Sequence, residues 1–148
     1  SSNPIEDARM HAMLCYRTPK SFKIRFSRSF NKEKEMFNVQ SWLIHHGKKL
    51  KDRYELKAYK MMNHLLGSID VTRYGSSIEE ILSKIESKIY IISIDSDLLF
   101  PIEEDLLTIK IADSIGVKIE HKIAVSDYGH DAFLMESEKI SKLLKDIF

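Results

Sequence analysis

The stretch that most restricts how this chain can fold is Ile89-Tyr90-Ile91-Ile92-Ser93-Ile94, bounded by Lys88 and Asp95. A β-branched run without polar alternation reads as a strand covered on both faces. Pro101, Glu103, Glu104 and Asp105 then open a helix whose positive end suits those acids, and Gly116 ends it. From Val117 to Val125 apolar residues alternate with Lys118, Glu120 and Lys122, a second strand, and a last helix carries Ile140, Leu143, Leu144 and Ile147. Strand, helix, strand, helix in that order make a right-handed βαβ unit with parallel strands, so the chain is of the α/β class. Two strands alone do not make a stable sheet. The sheet is therefore expected to continue in polypeptide outside this chain, or in another copy of it.

The region before the first strand reads as helical. Asn3 caps a first helix, Pro4 takes its first position, Glu6 falls at the capping-box place, and the helix runs to about Arg17 before Thr18-Pro19 stops it. Lys20 to Lys34 is polar and basic and reads as loop with at most one short turn. Val39, Trp42, Leu43, His46 and Leu50, then Tyr54, Ala58, Met61, Met62 and Leu65, keep helical spacing, the second set ending near Gly67. Ser76 and Ser77 each stand three residues before a glutamate, so either can cap the helix of Ile78, Ile81, Leu82 and Ile85. The expected division is a helical region over 1–87 and a β-α-β-α region over 88–148.

Composition narrows the function classes. With 148 residues, 43% of them hydrophobic and 30% charged, the chain is an ordinary globular domain or a large piece of one. It shows no membrane-length apolar run and no signal peptide, so a cytoplasmic, membrane-free protein is expected. Cys15 is the only cysteine, which excludes an internal disulfide. Residues 1–74 carry 15 Lys/Arg against 7 Asp/Glu, and residues 75–148 carry 8 against 15. Either the basic half faces an anionic ligand, or the two halves dock on each other or on an absent partner. The net charge of +1 gives no reason to expect a nucleic-acid partner.

In open α/β sheets ligands gather at the carboxyl ends of parallel strands. Here those ends are Asp95-Ser96-Asp97 and Ser126-Asp127-Tyr128-Gly129-His130-Asp131. A carboxylate that accepts from imidazole Nδ1 holds the ring in one tautomer, as a general base requires, and adjacent strand-end loops can bring such partners together. Aspartates also cap helices and gather in turns, so spacing alone leaves both readings of Asp97 and His130 open.

The segments Ser96-Asp97-Leu98-Leu99-Phe100-Pro101 and Tyr128-Gly129-His130-Asp131-Ala132-Phe133-Leu134 resemble the catalytic-Asp and catalytic-His motifs of the homoserine O-acetyltransferase family. The opening Ala8 to Arg17, and Phe37 to Tyr59, resemble that family's helical lid. The resemblance implies a partial α/β-hydrolase fold, comprising a lid block and the C-terminal end of the core. It implies a two-step acyl transfer in which a serine takes acetyl from acetyl-CoA and passes it to the hydroxyl of L-homoserine, in methionine biosynthesis. His130 would be the base and Asp97 its orienting acid. Arg9 and Tyr16 match lid residues at the family's active site. Seven residues apart, about 700° of rotation, they share one helix face about 10 Å apart. Asp131 matches a residue that binds the substrate's amino group. Acetyl-CoA is a substrate, and no resident cofactor is implied.

The departure from the pattern is a Gly-x-Ser-x-Gly nucleophile elbow, which none of the five glycines supplies. Gly67-Ser68 and Gly75-Ser76-Ser77 read as a helix exit and a helix entrance. The chain by itself is expected to lack the nucleophile and the oxyanion hole, and to be inactive alone. Its partners are then a second copy through the lid helices, or the absent N-terminal part. A non-catalytic remnant or dimerisation module, and a fragment of a general esterase, are the alternatives. Of six histidines only His130 sits in a motif, and no metal site is expected. Trp42 with Met61 and Met62 reads as lid packing or a dimer surface, and Cys15 as a small packing residue.

Overall fold

A computed structural model describes residues 3–145 and 147. The chain divides into two compact units, Ser1–Ile69 and Asp70–Phe148. The helix of Ile78–Leu82, read in the sequence as the last of the N-terminal region, is therefore grouped with the strands.

In the first unit α1 (Pro4–Cys15) begins at Asn3, whose side chain accepts from the Ile5 amide at 3.0 Å. It ends two residues before Arg17, with Tyr16 as its C-cap. Glu6, read as a capping-box residue, instead pairs with Lys51 at 3.3 Å. Thr18-Pro19 ends one helix and starts another. Thr18 is extended, as a residue before proline must be, and that geometry suits an N-cap: its hydroxyl accepts from Ser21 N at 3.0 Å. The expected loop after Lys20 is thus α2 (Pro19–Phe26), followed by a small antiparallel hairpin of β1 (Phe30–Asn31) and β2 (Met36–Phe37). Capping by Thr18 outweighs the weak apolar pattern from which a loop was read.

Helix α3 (Asn38–Lys51) packs on α1, and α4 (Leu56–Gly67) follows. The close approach of α1 and α3 needs a glycine. A Cβ on Gly47 would stand 3.0 Å from the Glu6 carbonyl oxygen and 3.2 Å from its Cα. Trp42 packs edge-on to His46 with 4.5 Å between centroids and against Phe22 and Phe26, with Arg25 over its ring. Burial, and then the charge of Arg9, hold His46 below the usual histidine range. Met61 and Met62 do not join this cluster and are exposed.

In the second unit α5 (Ile78–Leu82) carries the capping box on Ser77 and Glu80, which decides between the two candidate serines. Strand β3 (Ile89–Ile94), α6 (Ile102–Ser114) and β4 (Ile119–Ala124) form the expected βαβ unit. The strands pair in parallel from Ile89 opposite Ile119 to Ile94 opposite Ala124, so the loops that follow them leave the sheet at the same end. Gly116 turns the chain between α6 and β4 at φ +78°. A turn of 3-10 helix (Gly129–Asp131), α7 (Ala132–Met135) and α8 (Ser137–Leu144) complete the unit, and Ile147 falls beyond the last helix.

The burial of β3 on both faces is not reached. Only Ser93 is buried in that strand. Among the described residues the sheet has two strands, so each is paired along one edge and partly covered by α6 and α8. No helix among the described residues is long and apolar enough to cross a membrane.

Candidate active site

Asp97 and His130 meet across the two strand-end loops. His130 Nδ1 lies 2.9 Å from Asp97 Oδ2, with the Asp97 side chain 6% exposed and that of His130 22% exposed. The second carboxylate oxygen is occupied as well: Asp97 Oδ1 accepts from the amides of Leu99 and Phe100 at 2.8 and 3.0 Å. Those bonds fix the rotamer that presents Oδ2 to the ring. An ionised carboxylate is acceptor-only, so the proton lies on Nδ1 and Nε2 of the neutral ring carries the lone pair. That is the protonation pattern of a general base.

The loop that carries His130 bends at Gly129, whose φ of +63° favours glycine. Phe100 and Phe133 flank the imidazole at 5.2 and 5.7 Å between centroids. The pair opens on a cleft of about 340 Å³ that Asp97, Phe100, His130 and Phe133 share with Ile92 and Ile94 of β3. Phe100, Phe133, Ile92 and Ile94 give this cleft apolar walls on the side of the imidazole.

The next residue, Asp131, is 9% exposed and ends the 3-10 turn immediately before α7. Arg9 and Tyr16 belong to the first unit, where the Arg9 guanidinium lies 5.4 Å from the centre of the Tyr16 ring. They share a helix face as their spacing requires, and the length of the arginine brings the two heads into contact. Among the described residues no group of three or more His, Cys, Asp or Glu side chains could hold a metal ion.

Asp95, Ser96 and Ser126 were read from the sequence only as strand-end residues, and Glu136 and Lys139 not at all. Ser126, Ser96, Asp95, Glu136 and Lys139 form a hydrogen-bonded set beneath the two loops. A second Ser/His/Asp grouping lies deeper: Ser93 Oγ is 2.6 Å from Asp105 Oδ2 and 2.7 Å from His121 Nε2. There the serine stands between the acid and the imidazole, in mid-strand and 3% exposed. The order is wrong for a nucleophile, and the grouping satisfies polar atoms where α6 crosses the strands. The β-branched run placed Ser93, and alternation His121, within strands, but their meeting required the helix between.

No family model matches the chain. Curated relatives do. The chain is 35% identical to the homoserine O-acetyltransferase of Chloroherpeton thalassium over 142 residues, which are 96% of this chain and 36% of the relative. It is 32% identical to that of Chlorobium chlorochromatii, covering 94% and 38% respectively. It therefore spans a little over a third of these relatives' length. A solved esterase, crystallised as a point mutant, superposes with a TM-score of 0.71 at 16% identity, over 96% of this chain and 41% of the esterase. At that identity the likeness establishes the fold alone. Over nearly all its length the chain is thus similar in sequence to a little over a third of curated homoserine O-acetyltransferases, and its architecture is a partial α/β-hydrolase fold.

Proposed function

We propose that this chain is the C-terminal portion of a homoserine O-acetyltransferase and contributes the acid–base half of its catalytic triad. The observation that carries the reading is the Asp97–His130 hydrogen bond of 2.9 Å at the shared end of two parallel strands. In the proposed reaction a serine supplied by other polypeptide attacks the acetyl thioester. His130 takes the serine proton and returns it to the departing CoA thiolate. It then deprotonates the hydroxyl of L-homoserine, which attacks the acyl-serine, and gives the proton back to the serine oxygen. Asp97 orients the ring and stabilises the imidazolium in both steps.

Arg9 and Tyr16, with Asp131, are proposed as substrate-facing neighbours, Asp131 through its carboxylate on the homoserine ammonium. Acetyl-CoA and L-homoserine are substrates, no resident cofactor takes part, and the reaction is placed in the cytoplasm as a step of methionine biosynthesis. The chain associates with the polypeptide that bears the nucleophile, or with a second copy through the lid helices. One observation favours the second reading, a non-catalytic dimerisation module: Met61, Leu65 and Leu66 of α4 are all more than half exposed.

The coding sequence upstream of Ser1 separates these readings. A Gly-x-Ser-x-Gly elbow at a strand-to-helix turn there supports the enzyme. The protein that includes it is expected to form O-acetylhomoserine and free CoA, and the 148-residue chain alone is not. Turnover by the chain alone would overturn the missing-nucleophile reading. A longer protein that folds and binds acetyl-CoA without transferring acetyl to homoserine would overturn the enzyme reading.

A further inference from the structure

The relative placement of Asp97 and His130 depends on two loops 33 residues apart in sequence. A strand end by itself does not hold a loop to within a few tenths of an ångström, the tolerance of a functional hydrogen bond. The question is what joins these loops below the dyad.

Ser126 answers most of it. It is 7% exposed, and its polar groups are all engaged. Its amide donates to Asp95 Oδ1 at 2.8 Å, and its carbonyl accepts from the Ser96 hydroxyl at 2.5 Å. Its own hydroxyl donates to Glu136 Oε2 and accepts from the Tyr128 amide at 3.1 Å. Ser96 closes the set by accepting from the Gly129 amide at 3.1 Å. Glu136 is itself held by Lys139 at 2.6 Å, and Lys139 also donates to the Val125 carbonyl at 2.8 Å. Asp95 and Ser96 immediately precede Asp97, and Tyr128 and Gly129 immediately precede His130. The bonds to Asp95, Ser96, Tyr128 and Gly129 therefore act within one or two residues of a dyad side chain, and those of Glu136 and Lys139 anchor Ser126 from outside.

We infer that Ser96 and Ser126, anchored by Glu136, are positioning residues that set the distance and angle of the Asp97–His130 hydrogen bond. The inference rests on the reading of that pair as acid and base. Ser96 is the closer link, because its hydroxyl touches the Ser126 carbonyl on one loop and the Gly129 amide next to His130. Ser126 sets the depth of both loops relative to the end of the sheet. A merely structural role would lower stability and leave the geometry of the surviving folded molecules unchanged. A positioning role loosens the dyad in molecules that remain folded.

The test reads the His130 Nδ1 proton by NMR on the 148-residue chain, without turnover. Held between Nδ1 and Asp97, this proton should appear at low field and exchange slowly with water. Ser96→Ala and Ser126→Ala are expected to raise its exchange rate by about tenfold, the scale set by losing one or two hydrogen bonds. Ser96→Thr, which keeps the hydroxyl, should restore slow exchange. The His121 resonances and the circular dichroism report that the unit is still folded. An unchanged proton in folded Ser96→Ala and Ser126→Ala would overturn the inference. Should both variants unfold, Glu136→Ala decides, because this partly exposed side chain can be removed without opening the core: faster exchange supports the inference and unaltered exchange overturns it. Absent acetyl transfer in the longer protein would sink the proposed function while leaving this measurement readable, so the two failures are distinguishable.

Discussion

Asp97 serves two partners with two oxygens, one for the backbone of its own loop and one for His130. Asp97→Asn preserves the shape and changes the hydrogen-bonding character, because an amide group facing Nδ1 favours the other tautomer. In the proposed longer protein with its nucleophile, this change is expected to lower acetyl transfer on the order of 10⁴-fold. Steady-state kinetics with L-homoserine measures it, and a loss of tenfold or less would remove Asp97 from the role. Glu136 provides a separate prediction. The hydrogen bonds of Lys139 and then Ser126 hold its carboxyl below the ordinary glutamate value of 4.5. A carboxyl held low stabilises the fold where it is ionised, so its contribution is complete above that value and is lost as pH falls through the lower folded one. Glu136→Gln should therefore flatten the fall of stability below pH 4.5, read from denaturant midpoints across the acid range. An unaltered acid limb would contradict it. At this scale the strand-end loops of Asp97 and His130 were legible because each follows a strand, whereas spacing alone left the roles of the two residues open. Glu136 was not legible, since its bond to Ser126 crosses two short turns with no periodic signature.

Helices with a strong apolar period, and both strands of the βαβ unit, were read in place because their repeats are local. The region after Lys20 was misread for the complementary reason: its helix depends on a cap at Thr18 and on packing against Trp42, neither of which is periodic. Gly47 shows how packing overrides propensity. Alanine in a helix interior is favoured over glycine by about 1 kcal/mol. At position 47 the added methyl meets the Glu6 backbone at 3.0 Å, and crowding of that kind costs about 1–3 kcal/mol. Gly47→Ala is therefore expected to lower the stability of the first unit by about 1 kcal/mol. Gly67→Ala, where nothing lies within 4 Å, should raise it by a few tenths of a kcal/mol up to about 1. Urea titrations followed by Trp42 fluorescence compare them. Equal effects would mean that α1 yields to the methyl group.

No large side chain among the described residues is fully buried, and Phe100, Leu134 and Val125 beside the strand ends are each more than half exposed. Such a surface should bind a dye for apolar patches such as anilinonaphthalene sulfonate, and the polypeptide that completes the sheet should displace it. Failure of the isolated chain to enhance the dye's fluorescence would oppose that expectation. The opening run from Ile89 to Ile94 determined a strand, its parallel partner and the sheet end at which Asp97 and His130 stand, because hydrophobic period and strand direction are properties of neighbouring residues. The 2.9 Å bond between them, the Ser126 and Ser96 link beneath it and the incomplete burial of β3 were decided by tertiary structure alone. Those depend on which distant groups fold onto the strand ends, and no local pattern encodes a contact across 30 residues.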